Sequence, residues 1–148
     1  RPIVEYNSSI WSPTLKKYID MIERVQRKFT MRLPGMKNKT YFQRMSTLHL
    51  ESLEIRRIRI DLITVYKILF GHMNVKTSNL FHVRQSSGPR RHRFQLTMPV
   101  NRKAVRHSFF ANRIIPSGTV STNFASLTAF KNSMNNDFLT RACKRNFM

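Results

Sequence analysis

Clusters of arginine and lysine are the groups in this sequence whose type and spacing could do chemistry. The candidates in the second half of the chain are Arg90, Arg91, Arg93, Arg102, Lys103, Arg106 and Arg113. Guanidinium groups bind phosphate through paired hydrogen bonds and stack on bases, so such a run favours contact with a nucleic-acid backbone. A solvated loop is the alternative interpretation, because Ser86-Ser87-Gly88-Pro89 comes directly before the first arginines.

Aromatic residues lie close to these cations. Phe109 and Phe110 fall between Arg106 and Arg113 and could stack on unpaired bases. Adjacent phenylalanines more often belong to a hydrophobic core, and Trp11 is interpreted in the same way, as a packing anchor.

Groups suited to catalysis are scattered through the sequence. The seven carboxylates form no close pair that would hold two metal ions. The five histidines lack metal-ligand spacing, and the single Cys143 can form neither an internal disulfide nor a cysteine-rich zinc site. We therefore expect no catalysis, metal or cofactor in this chain alone.

The charge of the chain is extreme, with 27 Lys and Arg against 7 Asp and Glu, a net +20. No carboxylate lies between Asp61 and Asp137, so the basic residues of that stretch lack a local acidic neighbour in sequence. Such a chain attracts polyanions, and nucleic acid is the favoured partner. Acidic proteins, anionic membranes and a merely solvated basic surface are the alternatives.

Membrane insertion is not expected. The longest apolar run, Leu62 to Phe70, contains Lys67 and is far shorter than the roughly 20 residues that a membrane-spanning helix needs. One lone cysteine is weakly typical of a reducing compartment, so we expect an intracellular protein.

Hydrophobic periodicity predicts a mainly α-helical bundle with helices at about 13–33, 41–47, 52–70 and 126–139. Ser12-Pro13, Thr40 and Ser126 are the expected helix starts, and Gly71 the expected stop. The first helix should bury Leu15, Tyr18, Ile19, Ile22, Val25, Phe29 and Leu33. Its opposite, exposed face carries the further phosphate-binding candidates Arg24, Arg27 and Lys28, with Asp20 and Glu23 paired to Arg24 and Arg27.

The second long helix should bury Leu53, Ile55, Ile58, Leu62, Val65, Tyr66 and Leu69, and expose Arg56, Arg57 and Arg59. The half that follows is less regular, with alternation over 94–100 that predicts a strand and allows a short β-hairpin. These patterns suggest a helical subdomain at 1–71 and a basic subdomain at 72–148.

Short runs in a fixed order link the chain to a known family. They include Arg1-Pro2-Ile3-Val4-Glu5-Tyr6, Trp11-Ser12-Pro13, Ile22 to Thr30, Leu33-Pro34-Gly35, Tyr66 to Leu69 and Phe109 to Arg113. In this order they resemble the thumb and C-terminal part of jockey- or CR1-like non-LTR retrotransposon reverse transcriptases. The resemblance covers nearly the whole chain.

This resemblance implies a fragment of an RNA-directed DNA polymerase that holds RNA or an RNA–DNA hybrid beside the palm and fingers. The parent enzyme would need Mg²⁺ and would act in nucleus and cytoplasm. The family's Tyr/Phe-x-Asp-Asp motif and endonuclease domain are absent from this sequence, so no catalytic residue is carried over. The family's Trp-Asn-x-Leu-Pro turn is also missing, which suggests an internal truncation near 115–120.

Two other functions remain open at this point. The chain could be a standalone basic RNA-binding protein, or a structural subdomain whose charge is incidental. The absence of an initiator methionine favours a piece of a larger protein over the standalone alternative.

Overall fold

The computed structural model describes residues 2–84, 95–97, 109–114, 124–135 and 137–140. In this part the chain is mainly helical, as the sequence predicts. The elements in chain order are α1 (Pro2–Glu5), α2 (Lys16–Met31), α3 (Tyr41–Thr47), α4 (Leu53–Leu69), a 3-10 turn (Thr77–Asn79), β1 (His82–Arg84), β2 (Gln95–Thr97), α5 (Phe110–Ile114) and α6 (Leu127–Ser133).

Helix α4 is the centre of the fold, with α2, α5 and α6 packed against it. The hydroxyl of Ser52 accepts a hydrogen bond from the Ile55 amide and caps its start. Gly71, just past its end, has a φ of +72°, which a glycine adopts without strain. The predicted apolar stripe of α4 is confirmed, since its members are buried or pack against the buried core.

One hydrophobic core joins the two halves of the sequence. Residues of α4 cluster with later buried side chains, which are Phe81, Phe110, Ala111, Ile114, Phe130, Met134 and Leu139. The described parts of residues 1–71 and 72–148 therefore share apolar packing, and burial of this kind is the main stabilising term in a domain.

Aromatic rings hold α6 against α4. The Tyr66 ring lies 4.4 Å from Phe70 and 4.8 Å from Phe130, centroid to centroid, and Phe124 lies 5.5 Å from Phe130. Contacts of this geometry add to the free energy gained from burial alone.

Helix α3 begins at the predicted capping box. The Gln43 amide donates to the Thr40 hydroxyl at 3.3 Å, and the Thr40 amide donates to Gln43 Oε1 at 2.8 Å. Both bonds are local in sequence, which is why this helix start could be predicted.

Helix α2 is shorter than the predicted 13–33, and Ser12 does not cap it. The helix begins at Lys16. The residue at the N-cap position is Leu15, which has an extended backbone and no side-chain group that could cap the helix. The Arg113 guanidinium donates to the carbonyl oxygens of Ser8 and Ser9, so the preceding chain is held at α5. The chain then runs as a non-helical connection before α2 can start.

The predicted helix 126–139 is interrupted. Ser126 caps α6 as expected, but α6 ends at Ser133, and residues 137–140 form a separate helical turn. The Asn135 side chain accepts a hydrogen bond from the Phe138 amide at 2.8 Å and so starts this second turn. Met134 and Leu139 are nevertheless buried together in the core.

The strand predicted within 94–100 is present at β2. It pairs with β1 in antiparallel register, with Val83 opposite Leu96. Residues 85–94, 98–108 and 115–123, which include the suspected truncation near 115–120, lie outside the described part of the chain.

Candidate nucleic-acid interface

The outer face of α2 presents the cations that sequence patterning assigned to phosphate binding. Arg24, Arg27 and Lys28 are exposed, as are Lys16 and Lys17 one to three turns earlier. Helical positions three and four apart lie side by side, so these side chains form one continuous strip, here called the basic face. Its acidic member is Asp20, whose carboxylate lies 3.4 Å from Lys16 Nζ.

The inward face of α2 is polar, which corrects the predicted orientation of this helix. Its buried residues are Ile19, Glu23, Gln26 and Thr30. Of the apolar stripe expected to be buried, only Ile19 is; Leu15, Tyr18, Val25 and Phe29 are exposed. Polar contacts to neighbouring elements decide the rotation of α2, and these cannot be read from hydrophobic periodicity.

Glu23 is the centre of those contacts. Its Oε2 accepts a hydrogen bond from the Leu53 amide at 2.9 Å, at the start of α4, and its Oε1 accepts one from the Tyr41 hydroxyl of α3. A carboxylate is favoured at a helix start, where backbone amides are unpaired. Glu23 therefore points inward, and the predicted surface pair with Arg27 is wrong.

Gln26 and Thr30 complete the polar inward face of α2. Gln26 Nε2 donates to the Glu51 carbonyl oxygen at 3.1 Å, and the Thr30 hydroxyl donates to the Gln26 carbonyl oxygen at 2.9 Å. Arg44 of α3 in turn donates from Nε to the Thr30 hydroxyl at 3.3 Å. These bonds lock α2 against α3 and α4, so the basic face is held outward on a rigid element.

Tyr41 links the polar inward face of α2 to the basic face. The Arg27 guanidinium carbon lies 4.9 Å from the centroid of the Tyr41 ring. Burial, followed by the hydrogen bond to Glu23, raises the pKa of the Tyr41 hydroxyl above its usual value. The neutral ring thus positions one cation of the face through a cation–π contact.

Arg113 does not belong to the interface, and its assignment to phosphate binding is wrong. Its side chain is only 7% exposed, and its Nη2 lies 2.8 Å from Asp61 Oδ2 in α4. It also donates to the Ser9 carbonyl oxygen at 3.0 Å. Burial raises the pKa of Asp61, and the adjacent guanidinium opposes that effect.

Arg57 is also internal, although it was expected on the outer side of α4. It is buried, donates to the Val4 carbonyl oxygen at 2.7 Å and lies 4.5 Å above the ring of Trp11. Trp11 in turn donates from its indole nitrogen to the Tyr6 carbonyl oxygen at 2.6 Å. Trp11 is 43% exposed and lies outside the hydrophobic core cluster, so it contacts Arg57 and the N-terminal segment without being the buried anchor that the sequence predicts.

The remaining assigned cations are Arg90, Arg91, Arg93, Arg102, Lys103 and Arg106, and all lie outside the described residues. Of the phenylalanine pair nearby, Phe110 is buried in the core and Phe109 is exposed.

Comparison with known proteins identifies no relative. No protein-family model, curated protein or solved structure matches this chain. Among the described residues, no three or more His, Cys, Asp or Glu side chains come together where they could hold a metal ion. Nor does any helix in the described ranges have the length and apolar character to cross a membrane.

Proposed function

We propose that this chain binds RNA, single-stranded or paired with DNA, through phosphate contacts made by the basic face of α2. The supporting observation is the outward row of Lys16, Lys17, Arg24, Arg27 and Lys28 on a helix whose inner face is locked. A helix rises about 5.4 Å per turn, so cations on successive turns can follow successive phosphates.

The chemistry of the row favours a phosphate backbone over a specific base sequence. Arginine grips phosphate through two hydrogen bonds, whereas lysine acts as a point charge. Each neutralised phosphate releases counterions, so binding of this kind weakens steeply as salt rises. The other assigned cations, Arg90, Arg91, Arg93, Arg102, Lys103 and Arg106, would extend the contact and are part of the same proposal.

Within this proposal the chain is part of a non-LTR retrotransposon reverse transcriptase, and it positions the nucleic acid rather than reacting with it. The catalytic aspartates, the bound Mg²⁺ and the palm and fingers would belong to the rest of the parent protein. The basis for this assignment is the ordered sequence resemblance described above.

Charge reversal on the basic face tests the proposal. The variant Arg24→Glu/Lys28→Glu should weaken binding to a labelled RNA and to an RNA–DNA hybrid by about tenfold or more at low salt. The matched control is Lys76→Glu/Lys131→Glu, which reverses two exposed lysines elsewhere and changes the net charge by the same amount. Equal affinity of the two variants would mean that α2 is not the contact surface.

A structural role for part of the charge has its own support. Within the described ranges, five arginines are engaged by internal hydrogen bonds, and these are Arg44, Arg56, Arg57, Arg59 and Arg113. If neither α2 reversal nor reversal of Arg90, Arg91 and Arg93 changes RNA affinity, the chain is a structural subdomain with incidental charge.

A further inference from the structure

A groove runs along the outward side of helix α3, whose inward side carries the buried Arg44 and Met45. It is called the α3 groove here, and its lining residues are Asn38, Lys39, Phe42, Gln43, Ser46 and Thr47. Its volume of about 500 Å³ is in the range of small-ligand sites. Only one lining residue is apolar, so the groove suits a ligand with both a flat apolar surface and polar edges.

Phe42 supplies the apolar surface of the groove. It is 82% exposed, the largest exposed fraction of any aromatic residue in the described ranges. The capping box of Thr40 and Gln43 fixes the first turn of α3, and with it the position of Phe42. Proteins that bind single-stranded nucleic acid stack bases on exposed rings of this kind, and every base has a face that can stack.

Polar groups beside Phe42 are available to bind the edge of a base. Gln43 Oε1 accepts a hydrogen bond from the Thr40 amide at 2.8 Å, which leaves its Nε2 to donate. The side chains of Asn38 and Ser46 make no hydrogen bond to any residue that the structure describes. Side-chain amides and hydroxyls can pair with the edges of bases that are not already paired.

The charge around the groove is positive. Residues 24–50 contain no Asp or Glu, and Arg32 and Lys37 are exposed in the loop that leads to α3. Lys39 Nζ lies 3.3 Å from the Thr47 hydroxyl, a bond that uses one of its three N–H groups. The other two can bind a phosphate, so the groove offers an ammonium group beside an aromatic ring.

The groove lies at the C-terminal end of α2, where the basic face ends. Arg44 donates from Nε to the Thr30 hydroxyl at 3.3 Å, one residue before the last residue of α2. The same guanidinium donates from Nη1 to the Lys39 carbonyl oxygen. One side chain therefore holds the lining of the groove beside α2, and a strand that follows the basic face can continue into it.

We propose that the α3 groove binds one unpaired base of an RNA strand, with the base stacked on Phe42 and an adjacent phosphate on Lys39. This inference rests on the proposed RNA binding by α2 and specifies the form of the RNA. Bases inside a duplex are stacked on their neighbours and their pairing edges are occupied, so only a single-stranded segment can use the groove.

The composition of the groove argues against two other occupants. A partner helix or a membrane surface is bound through apolar area, and the groove offers one ring among five polar residues. An acidic peptide would pair with Lys39, but it would not need a ring with polar groups beside it. A base attached to a phosphate uses all three kinds of group.

Abasic RNA separates base stacking from phosphate contact. Affinity of the full chain is measured at one salt concentration for a single-stranded uridine oligomer and for a strand of equal length that has the same phosphates and riboses but no bases. Phe42→Ala should weaken binding of the uridine oligomer by about fivefold or more. It should leave binding of the abasic strand and of a fully paired RNA–DNA hybrid unchanged.

Matched variants identify the aromatic face as the cause. Phe42→Trp keeps a surface for stacking and should keep the affinity for the uridine oligomer, whereas Phe42→Leu keeps apolar area alone and should behave like Phe42→Ala. The control Tyr6→Ala removes a ring that is 76% exposed outside the groove and should change neither affinity. Arg24→Glu/Lys28→Glu should weaken binding of both strands, since it acts through phosphates.

Failure of this proposal can be told apart from failure of RNA binding by α2. If the wild type binds the uridine oligomer and Phe42→Ala binds it equally well, the groove proposal is overturned and binding by α2 stands. Equal weakening of the uridine and abasic strands by Phe42→Ala would also overturn it, because no base would then be involved. A wild type that binds neither strand would overturn both proposals.

Discussion

Asp61 of α4 and Arg113 of α5 form a buried ion pair across 52 residues of sequence, with Arg113 Nη2 2.8 Å from Asp61 Oδ2. The Arg113 guanidinium also donates to the Ser9 carbonyl oxygen. One side chain therefore joins the N-terminal segment, the central helix and the C-terminal half.

Breaking this pair should destabilise the protein strongly. Asp61→Ala and Arg113→Ala each leave a buried charge without its partner, and each should lower the free energy of unfolding by about 3–5 kcal/mol. Urea denaturation measures the loss. The double variant Asp61→Leu/Arg113→Met should lose less free energy of unfolding than the sum of the two single losses, because neither member of the pair is left facing an apolar replacement alone.

The exposed pair of Lys16 and Asp20 provides the control, with side chains 68% and 49% exposed. Loss of this pair in Asp20→Ala should cost about 1 kcal/mol or less, since solvent screens the interaction. Similar losses at the buried and the exposed pair would show that Asp61 and Arg113 do not join the three segments in solution.

The shared hydrophobic core predicts that the C-terminal turn stabilises the whole protein. Leu139 is fully buried, so Leu139→Ala should lower the free energy of unfolding by about 2–5 kcal/mol. Leu15→Ala removes the same atoms from a position that is 63% exposed. It should change the free energy of unfolding by less than about 0.5 kcal/mol. A wild-type denaturation curve for Leu139→Ala would place residues 137–140 outside the core.

The raised pKa of Tyr41 predicts that the stability of the protein falls at alkaline pH. Burial and Glu23 raise its pKa in the folded state above the usual 10.0. As pH rises past 10.0, the unfolded chain loses this proton while the folded chain keeps it, so stability declines with pH. In Tyr41→Phe this contribution is absent, and the free energy of unfolding should decline less steeply above pH 10.0. Parallel declines in the two proteins would contradict the raised pKa.

Sequence patterning succeeded where the deciding contacts are local or simply apolar. The capping box at Thr40 needs only residues of its own first turn. The stripe of α4 is buried because each of its members is apolar and neighbouring segments pack along it. The mainly helical fold follows from such signals.

The orientation of α2 could not be predicted in this way. Its apolar stripe is real, but Glu23 and Gln26 find partners on α3 and α4 that lie 15 to 30 residues away in sequence. Arg113 was misassigned for the same reason, because its partner Asp61 lies in another element. Asp61 lies between Ile60 and Leu62 in an arginine-rich helix, and a carboxylate among apolar residues is a sequence signal that could have indicated such a pair.

The salt dependence of RNA binding tests the central claim most directly. Two neutral variants are compared with the wild type, Arg24→Gln/Lys28→Gln on the basic face and Lys76→Gln/Lys131→Gln away from it. If α2 contacts phosphates, the first should make the slope of log affinity against log salt less negative by about 1.4 on single-stranded RNA, and the second should leave it unchanged. Identical slopes for all three proteins would contradict a phosphate-binding role for α2.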